Sequence, residues 1–225
     1  MTESVLIELV EESNSLYFIF GGLGSNVGMP PFEFFSASKI IEENKIFIRD
    51  LSQSWYHTDL PGIGSSIDSL VCFISNWIAR IQPNEVYFVG NSMGGFAAIL
   101  VSSILGKGHA ITFAPQTFIS PLRRLRYRDW RWLRPISRTL LASALRPHIW
   151  DVRAAVENRV RPTQIDIYVS ITDRLDYIHA NRLRGLAGVT IHEYETGGHK
   201  LVRHLRDQGE LPRILKTQGS DSDNS

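Results

Sequence analysis

Cysteine is nearly absent from this sequence, since Cys72 is the only one in 225 residues. A lone thiol excludes an intramolecular disulfide and any metal site built from several thiolates, so we expect a reducing, cytoplasmic compartment. No run of eighteen apolar residues occurs, and no transmembrane segment is predicted. The acidic start, MTESVLIELVEESNS, lacks the basic and apolar regions of a secretory signal. The seven histidines form no H-E-x-x-H pair, so we predict neither a metal nor a cofactor.

Net charge is close to zero, with 24 Lys and Arg against 23 Asp and Glu, but its distribution is uneven. Residues 116–161 contain eleven arginines, no lysine and three acids, which gives this segment a net charge of +8. Since the total is +1, the rest of the chain carries about −7. Such asymmetry predicts that the basic segment has its own role or its own partner.

Short apolar runs rich in β-branched and aromatic residues alternate with helical patterns along the chain. Seven strands are predicted, at Val5–Val10, Leu16–Phe20, Lys45–Arg49, Glu85–Gly90, Ala110–Ala114, Gln164–Ile171 and Val189–Tyr194. The predicted helices are Ser66–Ile81, Gly94–Leu105, Tyr177–Leu186 and His199–Leu215. This alternation indicates an α/β fold with a doubly wound, mostly parallel sheet, in a single domain over residues 1–216.

One crossover between predicted strands is much longer than the others. Residues 116–162 are rich in arginine and tryptophan and favour helices, so we expect a helical, lid-like insertion there. The last nine residues, 217–225, read TQGSDSDNS. Because they are polar and offer no apolar surface to bury, they are predicted to form a disordered tail.

The strongest chemical signal is the segment EVYFVGNSMGGFAAIL, in which a predicted strand runs through Gly-Asn-Ser-Met-Gly into a helix of small residues. This is a G-x-S-x-G sequence in the strand–turn–helix context that a nucleophile elbow requires. Ser92 would lie on a strained turn with its hydroxyl exposed at the sheet edge. Gly90 and Gly94 would remove side chains that clash where strand and helix approach. The alternative is a glycine-rich turn without catalysis.

The segment GNSMGGFAA resembles the elbow of the α/β-hydrolases, and the order of strands and helices over nearly the whole chain is similar to a compact member of that superfamily. The resemblance implies that Ser92 is the nucleophile, with an acid and then a histidine later in the chain. It also implies an oxyanion hole formed by Met93 and a loop after an early strand. Here that loop reads Phe-Gly-Gly-Leu-Gly, where family members often carry His-Gly, so the second donor is either Gly22 or Leu23.

The same resemblance implies where the base and the acid lie. His199 follows two glycines after the last predicted strand, and histidine suits a base because its pKa lies near working pH. The acid is expected a few residues after the penultimate strand, in the sequence SITDRLDY. The spacing favours Asp173 over Asp176, which immediately precedes a predicted helix and could be its N-cap. Either carboxylate could orient the imidazole.

Side chains around this site are predicted to bind the substrate. The candidates are Trp55 in the loop after the third strand, Gln116 at the start of the insertion, and Arg126 and Arg131 within it. Guanidinium groups suit a carboxylate, a phosphate or an acidic protein surface. The alternative is a solvated pair of amphipathic helices over the core. Nucleic acid is not expected as a partner, because the remaining chain is net acidic.

Three functions compete on this evidence. The leading one is a serine hydrolase that cleaves an ester or thioester of a small-molecule acyl substrate, anionic or carried on an acidic protein, through an acyl-enzyme. The second is an acyltransferase with the same triad. The third is a non-enzymatic, hydrolase-like binding protein whose arginine-rich insertion is an interaction surface. The complete set of serine, acid and histidine favours an enzyme, and the sequence does not predict the oligomeric state.

Overall fold

The computed structural model describes residues 4–23, 34, 37–144 and 147–216, so the predicted tail lies outside the described residues. Seven strands form one sheet: β1 (Val5–Glu8), β2 (Ser15–Phe20), β3 (Asn44–Ile48), β4 (Glu85–Asn91), β5 (His109–Phe113), β6 (Gln164–Ser170) and β7 (Val189–Tyr194). Their order across the sheet is β1-β3-β2-β4-β5-β6-β7. Strand β1 is antiparallel to β3, and the other neighbouring pairs are parallel.

Strand β2 shows how both faces of the sheet are covered. Every residue of its sequence, SLYFIF, is buried. Leu16 and Phe18 join a core on one face, whereas Tyr17 and Ile19 join a second core on the other. A strand covered on both faces needs apolar side chains at consecutive positions, which explains the continuous apolar run in the sequence. The predicted α/β class with a doubly wound, mostly parallel sheet is confirmed.

The two faces are covered by different helices. The α-helices of the described residues are α1 (Ile67–Ile81), α2 (Met93–Leu105), α3 (Pro121–Tyr127), α4 (Leu133–Ala142), α5 (Val152–Glu157), α6 (Arg174–Asn181), α7 (Leu201–Asp207) and α8 (Leu211–Lys216). Helices α1 and α2 pack into the core on one face, and α7 and α8 pack into the core on the other. None of the helices in the described ranges is long and apolar enough to cross a bilayer.

Two helices differ from the sequence prediction, each for a local reason. Helix α6 begins at Arg174 rather than Tyr177, because the Asp173 carboxylate accepts two backbone N–H groups and caps it. The helix predicted over His199–Leu215 is interrupted between α7 and α8. Gly209 lies there with φ +72°, a left-handed conformation that ends a helix.

The arginine-rich segment runs from β5 to β6 and contains α3, α4 and α5. Hydrogen bonds from guanidinium groups stabilise this segment and attach it to the residue after α6. Arg182, just after α6, donates to both carboxylate oxygens of Asp151 at 3.1 and 2.6 Å. Arg124 is buried and its guanidinium donates to the carbonyl of Arg131. Internal contacts therefore hold some of these guanidinium groups, but the three acids of the segment leave its net charge at +8.

Candidate active site

Ser92 lies on a strained turn between β4 and α2. Its backbone angles, φ +52° and ψ −112°, fall where residues other than glycine are rarely found. Two backbone hydrogen bonds hold this conformation. The Ser92 N–H donates to the carbonyl of Phe113 at 2.9 Å, and the Gln116 N–H donates to the carbonyl of Ser92 at 3.1 Å. The result is the strand–turn–helix geometry that the G-x-S-x-G sequence predicts.

Glycines on either side of Ser92 allow the helix to approach the sheet closely. A Cβ atom on Gly90 would lie 2.2 Å from the carbonyl oxygen of Gly94, and one on Gly94 would lie 2.3 Å from that of Phe20. Neither position tolerates a side chain unless the backbone moves. Because Phe20 ends β2, this contact also brings the loop containing Gly22 and Leu23 against the first turn of α2, where Met93 lies.

A buried hydrogen-bonded chain ends at the Ser92 hydroxyl. The indole N–H of Trp55 donates to Gln116 Oε1 at 2.8 Å, and Gln116 Nε2 donates to Ser92 Oγ at 3.3 Å. Since the indole N–H can only donate, it fixes the amide with its NH₂ group toward the serine. The structure thus links two of the four predicted substrate-binding residues to Ser92, Gln116 directly and Trp55 through Gln116. However, Trp55 is fully buried, so it orients the Gln116 amide and does not itself contact a bound molecule.

The loop that carries Trp55 is held by a buried carboxylate. Asp50 accepts the backbone N–H groups of Ser54 and Tyr56 at 2.6 and 2.9 Å. Trp55 and Tyr56 both have positive φ, at +53° and +62°. These three consecutive positions, hydrogen-bonded to Asp50 or left-handed, explain how a loop without glycine at its centre presents a tryptophan inward. Burial raises the pKa of Asp50, although the hydrogen bonds from the loop oppose that shift.

His199 is paired with Asp176 and not with the acid that the sequence spacing favoured. Its Nδ1–H donates to Asp176 Oδ2 at 2.6 Å. Asp173 instead caps α6, with its Oδ1 accepting the N–H groups of Leu175 and Asp176 at 3.0 Å each. The two aspartates therefore have the reverse of their expected positions, because the helix starts earlier than predicted and turns Asp176 inward from its first turn.

Arg131 holds the other oxygen of the Asp176 carboxylate. Its Nη1 donates to Asp176 Oδ1 at 2.7 Å, while its Nε donates to Asp129 Oδ1 at 3.1 Å. Asp129 and Asp176 are both buried, so the guanidinium bridges two carboxylates and offsets the repulsion between them. The prediction that Arg131 contacts the substrate is therefore replaced by a different contact, with the acid that bonds His199.

The hydrogen-bonded network extends from Arg131 through Asp129 to a second histidine, His179. His179 Nε2–H donates to Asp129 Oδ2 at 3.0 Å, and His179 Nδ1 accepts the Thr117 N–H at 2.9 Å. Burial lowers the pKa of His179, which agrees with a neutral ring that accepts at one nitrogen. Sequence reasoning missed Asp129 and His179. A usable signal was that Asp129 is the only acid between residues 117 and 150.

The protonation states of the pair follow from these contacts. The hydrogen bond that His199 donates to Asp176 raises the pKa of His199, and burial opposes this only partly. Burial alone would raise the pKa of Asp176, but the hydrogen bonds from His199 and Arg131 outweigh it and hold that pKa below its usual value. Asp176 is therefore ionised when His199 is neutral, which is the arrangement that orients an imidazole as a base.

Ser92 and His199 are not hydrogen-bonded to one another. Within residues 4–23, 34, 37–144 and 147–216, the side-chain partner of Ser92 Oγ is Gln116. The His199 side chain is about one-third exposed and its ring lies 5.5 Å from that of Trp132. In enzymes that pair a nucleophile with a base, the contact between the two is often long without substrate and shortens when substrate binds.

Arg126 is the last of the predicted substrate-binding residues. Arg126 is exposed, with its guanidinium 5.8 Å from the centre of the neighbouring Tyr127 ring, and it makes no contact with Ser92.

Across the described ranges, the one cluster with the spacing of metal ligands consists of Asp173, Asp176 and His199. The Arg131 guanidinium already supplies positive charge to that cluster, which favours an acid–imidazole pair.

Comparisons with known proteins find the same architecture elsewhere. No family model matches the chain, and no curated protein matches its sequence. The capsule O-acetyltransferase of Neisseria meningitidis serogroup A aligns with a TM-score of 0.68 and 16% identity over 94% of this chain and 90% of that one. A lipase-esterase related protein from Clostridium acetobutylicum gives 0.61 and 15%, over 96% and 99%. Esterase B from Lactobacillus rhamnosis gives 0.57 and 13%, over 94% and 80%.

These neighbours share the mostly parallel sheet with helices on both faces. The fold is that of the α/β-hydrolases. Identities of 13% and 16% define the fold alone, so the roles of individual residues in this hydrolase fold rest on the contacts described above. Those contacts place the strained Ser92 at the start of α2 and pair His199, which follows β7, with Asp176, which follows β6.

The close approach of α2 to the sheet predicts that Gly94 is needed for stability. We expect Gly94→Ala to lower the free energy of unfolding by about 1–3 kcal/mol, because its methyl group would overlap the Phe20 carbonyl. Gly21→Ala is the matched control, since its Cβ would lie 3.5 Å from the nearest atom. Urea denaturation of both variants measures the difference. Equal stability of Gly94→Ala and Gly21→Ala would contradict the contact.

The pairing of His199 predicts a specific response of its pKa. In NMR titrations of the ring protons, His199 should titrate above the ordinary value of 6.5, because Asp176 stabilises its protonated form. Asp176→Asn should lower that pKa, since the amide removes the negative charge and keeps the shape. Asp173→Asn is the control and should change it little. A larger shift in the Asp173 variant would show that the wrong acid has been assigned to His199.

Proposed function

We propose that this protein is a serine hydrolase that cleaves an ester or thioester, with Ser92 as nucleophile, His199 as base and Asp176 as the orienting acid. The observation that carries the proposal is the 2.6 Å hydrogen bond between His199 Nδ1 and a buried, ionised Asp176 in a chain whose Ser92 occupies an elbow. Strain, a glycine-lined approach and a paired histidine occur together in catalytic sites and have no structural need for one another.

In the acylation step, Ser92 Oγ attacks the acyl carbon and its proton passes to His199 Nε2. The imidazolium that forms is stabilised by Asp176, which remains ionised. The carbonyl electron pair moves onto oxygen, and the backbone N–H of Met93 with that of Gly22 or Leu23 would stabilise this oxyanion at the positive end of α2. The bond to the leaving group then breaks, and His199 returns the proton to the departing oxygen or sulfur.

In the deacylation step, a water molecule replaces the leaving group. His199 Nε2 takes a proton from that water as its oxygen attacks the acyl carbon. The carbon–oxygen bond to Ser92 breaks, and the proton passes from His199 to Ser92 Oγ, which releases the acid. In each step the histidine needs its Nδ1–H directed at Asp176, so the contact between Asp176 and His199 sets the tautomer for the whole cycle.

Arg131 enters this proposal as a positioning residue. By binding the second oxygen of Asp176, it leaves that carboxylate one orientation and one free acceptor for His199. The proposed anionic selectivity of the insertion therefore cannot come from Arg131, whose charge is matched by two carboxylates. It would have to come from exposed arginines such as Arg126. The cytoplasm remains the proposed compartment, on the cysteine content alone.

Acyl transfer is the second candidate function. The same acyl-serine can be taken by an alcohol or thiol acceptor instead of water, so the triad does not distinguish the two. The O-acetyltransferase among the structural neighbours favours retaining this candidate. Product analysis separates them, because hydrolysis gives free acid whereas transfer consumes an added acceptor.

Ser92→Ala should abolish covalent labelling by a fluorophosphonate and lower kcat/KM for a p-nitrophenyl ester by at least about a thousandfold. Ser103→Ala, a buried serine later in the same helix, is the control and should retain both. Asp176→Asn should lower kcat more than Asp173→Asn, since only Asp176 contacts His199. Unchanged labelling of the Ser92 variant would exclude the serine as nucleophile.

The dependence of activity on pH should show the base. Because His199 must be neutral to accept the serine proton, kcat/KM should fall as pH decreases through its pKa, which lies above the ordinary 6.5. In Asp176→Asn, the acid limb should move to lower pH while the maximum rate falls. Arg131→Gln should also alter the limb, because it changes the charge beside Asp176. A profile that stays flat to about pH 5 would rule out histidine as the base.

A further inference from the structure

The part of the insertion that contains α3 and α4 exposes both apolar and basic side chains. Five large apolar side chains within residues 122–141 are 51% to 80% exposed: Leu122, Leu125, Trp130, Leu133 and Leu141. Twelve large hydrophobic residues are exposed in the described part of the chain, so these twenty positions hold five of them. Single exposed apolar residues need no explanation, but five within twenty residues of sequence are unusual and point to an interaction surface.

Arginine is the only charged residue type at the surface of this patch. Four exposed arginines lie among the apolar side chains: Arg126, Arg128, Arg134 and Arg138. The sequence from Trp130 to Trp150 contains no acid, and Asp129 just before it is buried and bonded to Arg131. Arg128, Arg134 and Arg138 have no ion pair within the described ranges of the chain. Unlike the arginines that hold the insertion together, these remain open to an external anion.

Helix α4 shows how the two kinds of side chain share one face. Leu133, Ser137 and Leu141 follow one another at intervals of four residues, and all three are exposed. Arg134 and Arg138 follow each other at the same interval, one residue further along. The opposite face carries buried residues of the core, including Ile136 and Thr139. The apolar side chains therefore project outward although the helix already has a buried face.

We propose that this patch, made of Leu122, Leu125, Trp130, Leu133 and Leu141 with the four arginines, docks on an anionic phospholipid surface. Projecting leucines and a tryptophan can enter the boundary between headgroups and acyl chains without a shaped partner groove. Guanidinium groups bind lipid phosphates bidentately, which suits arginine more than lysine. The same face of a second copy is disfavoured as occupant, because two arginine-only surfaces repel one another.

The patch adjoins the residues that hold the proposed triad acid. Trp130 precedes Arg131, whose guanidinium bonds Asp176, and Arg124 of α3 bonds the Arg131 carbonyl. Docking would thus bring a lipid surface beside the site described above. The proposal does not depend on the proposed function, because vesicle binding is measured without turnover and stands if Ser92 is not a nucleophile.

The test is co-sedimentation of the full chain with vesicles of phosphatidylcholine alone and of equal parts phosphatidylcholine and phosphatidylglycerol. We expect binding to the anionic vesicles, at least about tenfold weaker binding to the neutral ones, and partial loss in high salt. Arg134→Gln with Arg138→Gln should weaken binding roughly thirtyfold, at about 1 kcal/mol for each arginine. Leu122→Ser with Leu125→Ser should weaken it by about tenfold or more, because both side chains leave the interface.

Matched controls lie elsewhere on the surface. Leu9→Ser with Leu51→Ser removes two exposed leucines, and Arg203→Gln removes an exposed arginine, so these variants should bind as the unaltered protein does. A blue shift of tryptophan emission on binding, lost in Trp130→Phe, would support insertion of that side chain.

Three outcomes would overturn the proposal. The first is no binding to anionic vesicles. The second is binding that high salt abolishes fully and that the leucine variant leaves unchanged, which is adsorption by charge alone. The third is a patch-dependent dimer in light scattering, with vesicle binding unaffected by either variant. That result would assign the surface to a second copy of the chain.

Discussion

A buried carboxylate shared between a guanidinium and an imidazole is the interaction on which this site depends. Asp176 has one oxygen on Arg131 and the other on His199, at 2.7 and 2.6 Å. A buried carboxylate without partners would take up a proton, and it could then no longer fix the imidazole. His199 and Arg131 together prevent this, because their hydrogen bonds keep the charged form of the buried Asp176 favourable. The insertion therefore supports the candidate site through Arg131, which binds the Asp176 oxygen that His199 does not contact.

The second constraint is steric. Helix α2 can start at Ser92 only because Gly90 and Gly94 leave room for backbone carbonyls within 2.2 and 2.3 Å of where a Cβ would stand. The strained turn is supported by backbone hydrogen bonds and by the Trp55–Gln116 chain behind the hydroxyl. Strain at one residue persists when its surroundings determine the conformation more strongly than the residue's own preference does.

The fold was largely predictable from the sequence, because continuous apolar runs such as SLYFIF have few alternatives to a strand covered on both faces. The elbow was predictable because its residues, Gly-Asn-Ser-Met-Gly, are contiguous in the sequence and lie between a strand and a helix. Either Asp173 or Asp176 could orient the imidazole on the sequence alone, with the spacing favouring Asp173, whereas the structure pairs His199 with Asp176. The sequence did not specify this because the capping aspartate decides where α6 begins, and thus which carboxylate turns inward. The contacts of Arg131 with Asp129 and Asp176 join different elements, and no local pattern specifies them.

The central claim, that Ser92 carries the acyl group, is tested most directly by trapping it. The protein is mixed with p-nitrophenyl acetate, quenched in acid within the first turnover, and digested for peptide mass spectrometry. The account predicts an acetyl group on Ser92 that appears before steady-state turnover and is absent from the Ser92→Ala protein. Continued release of p-nitrophenol with Ser92 unmodified, or an acetyl group found on another residue that forms at the same rate in the Ser92→Ala protein, would contradict it.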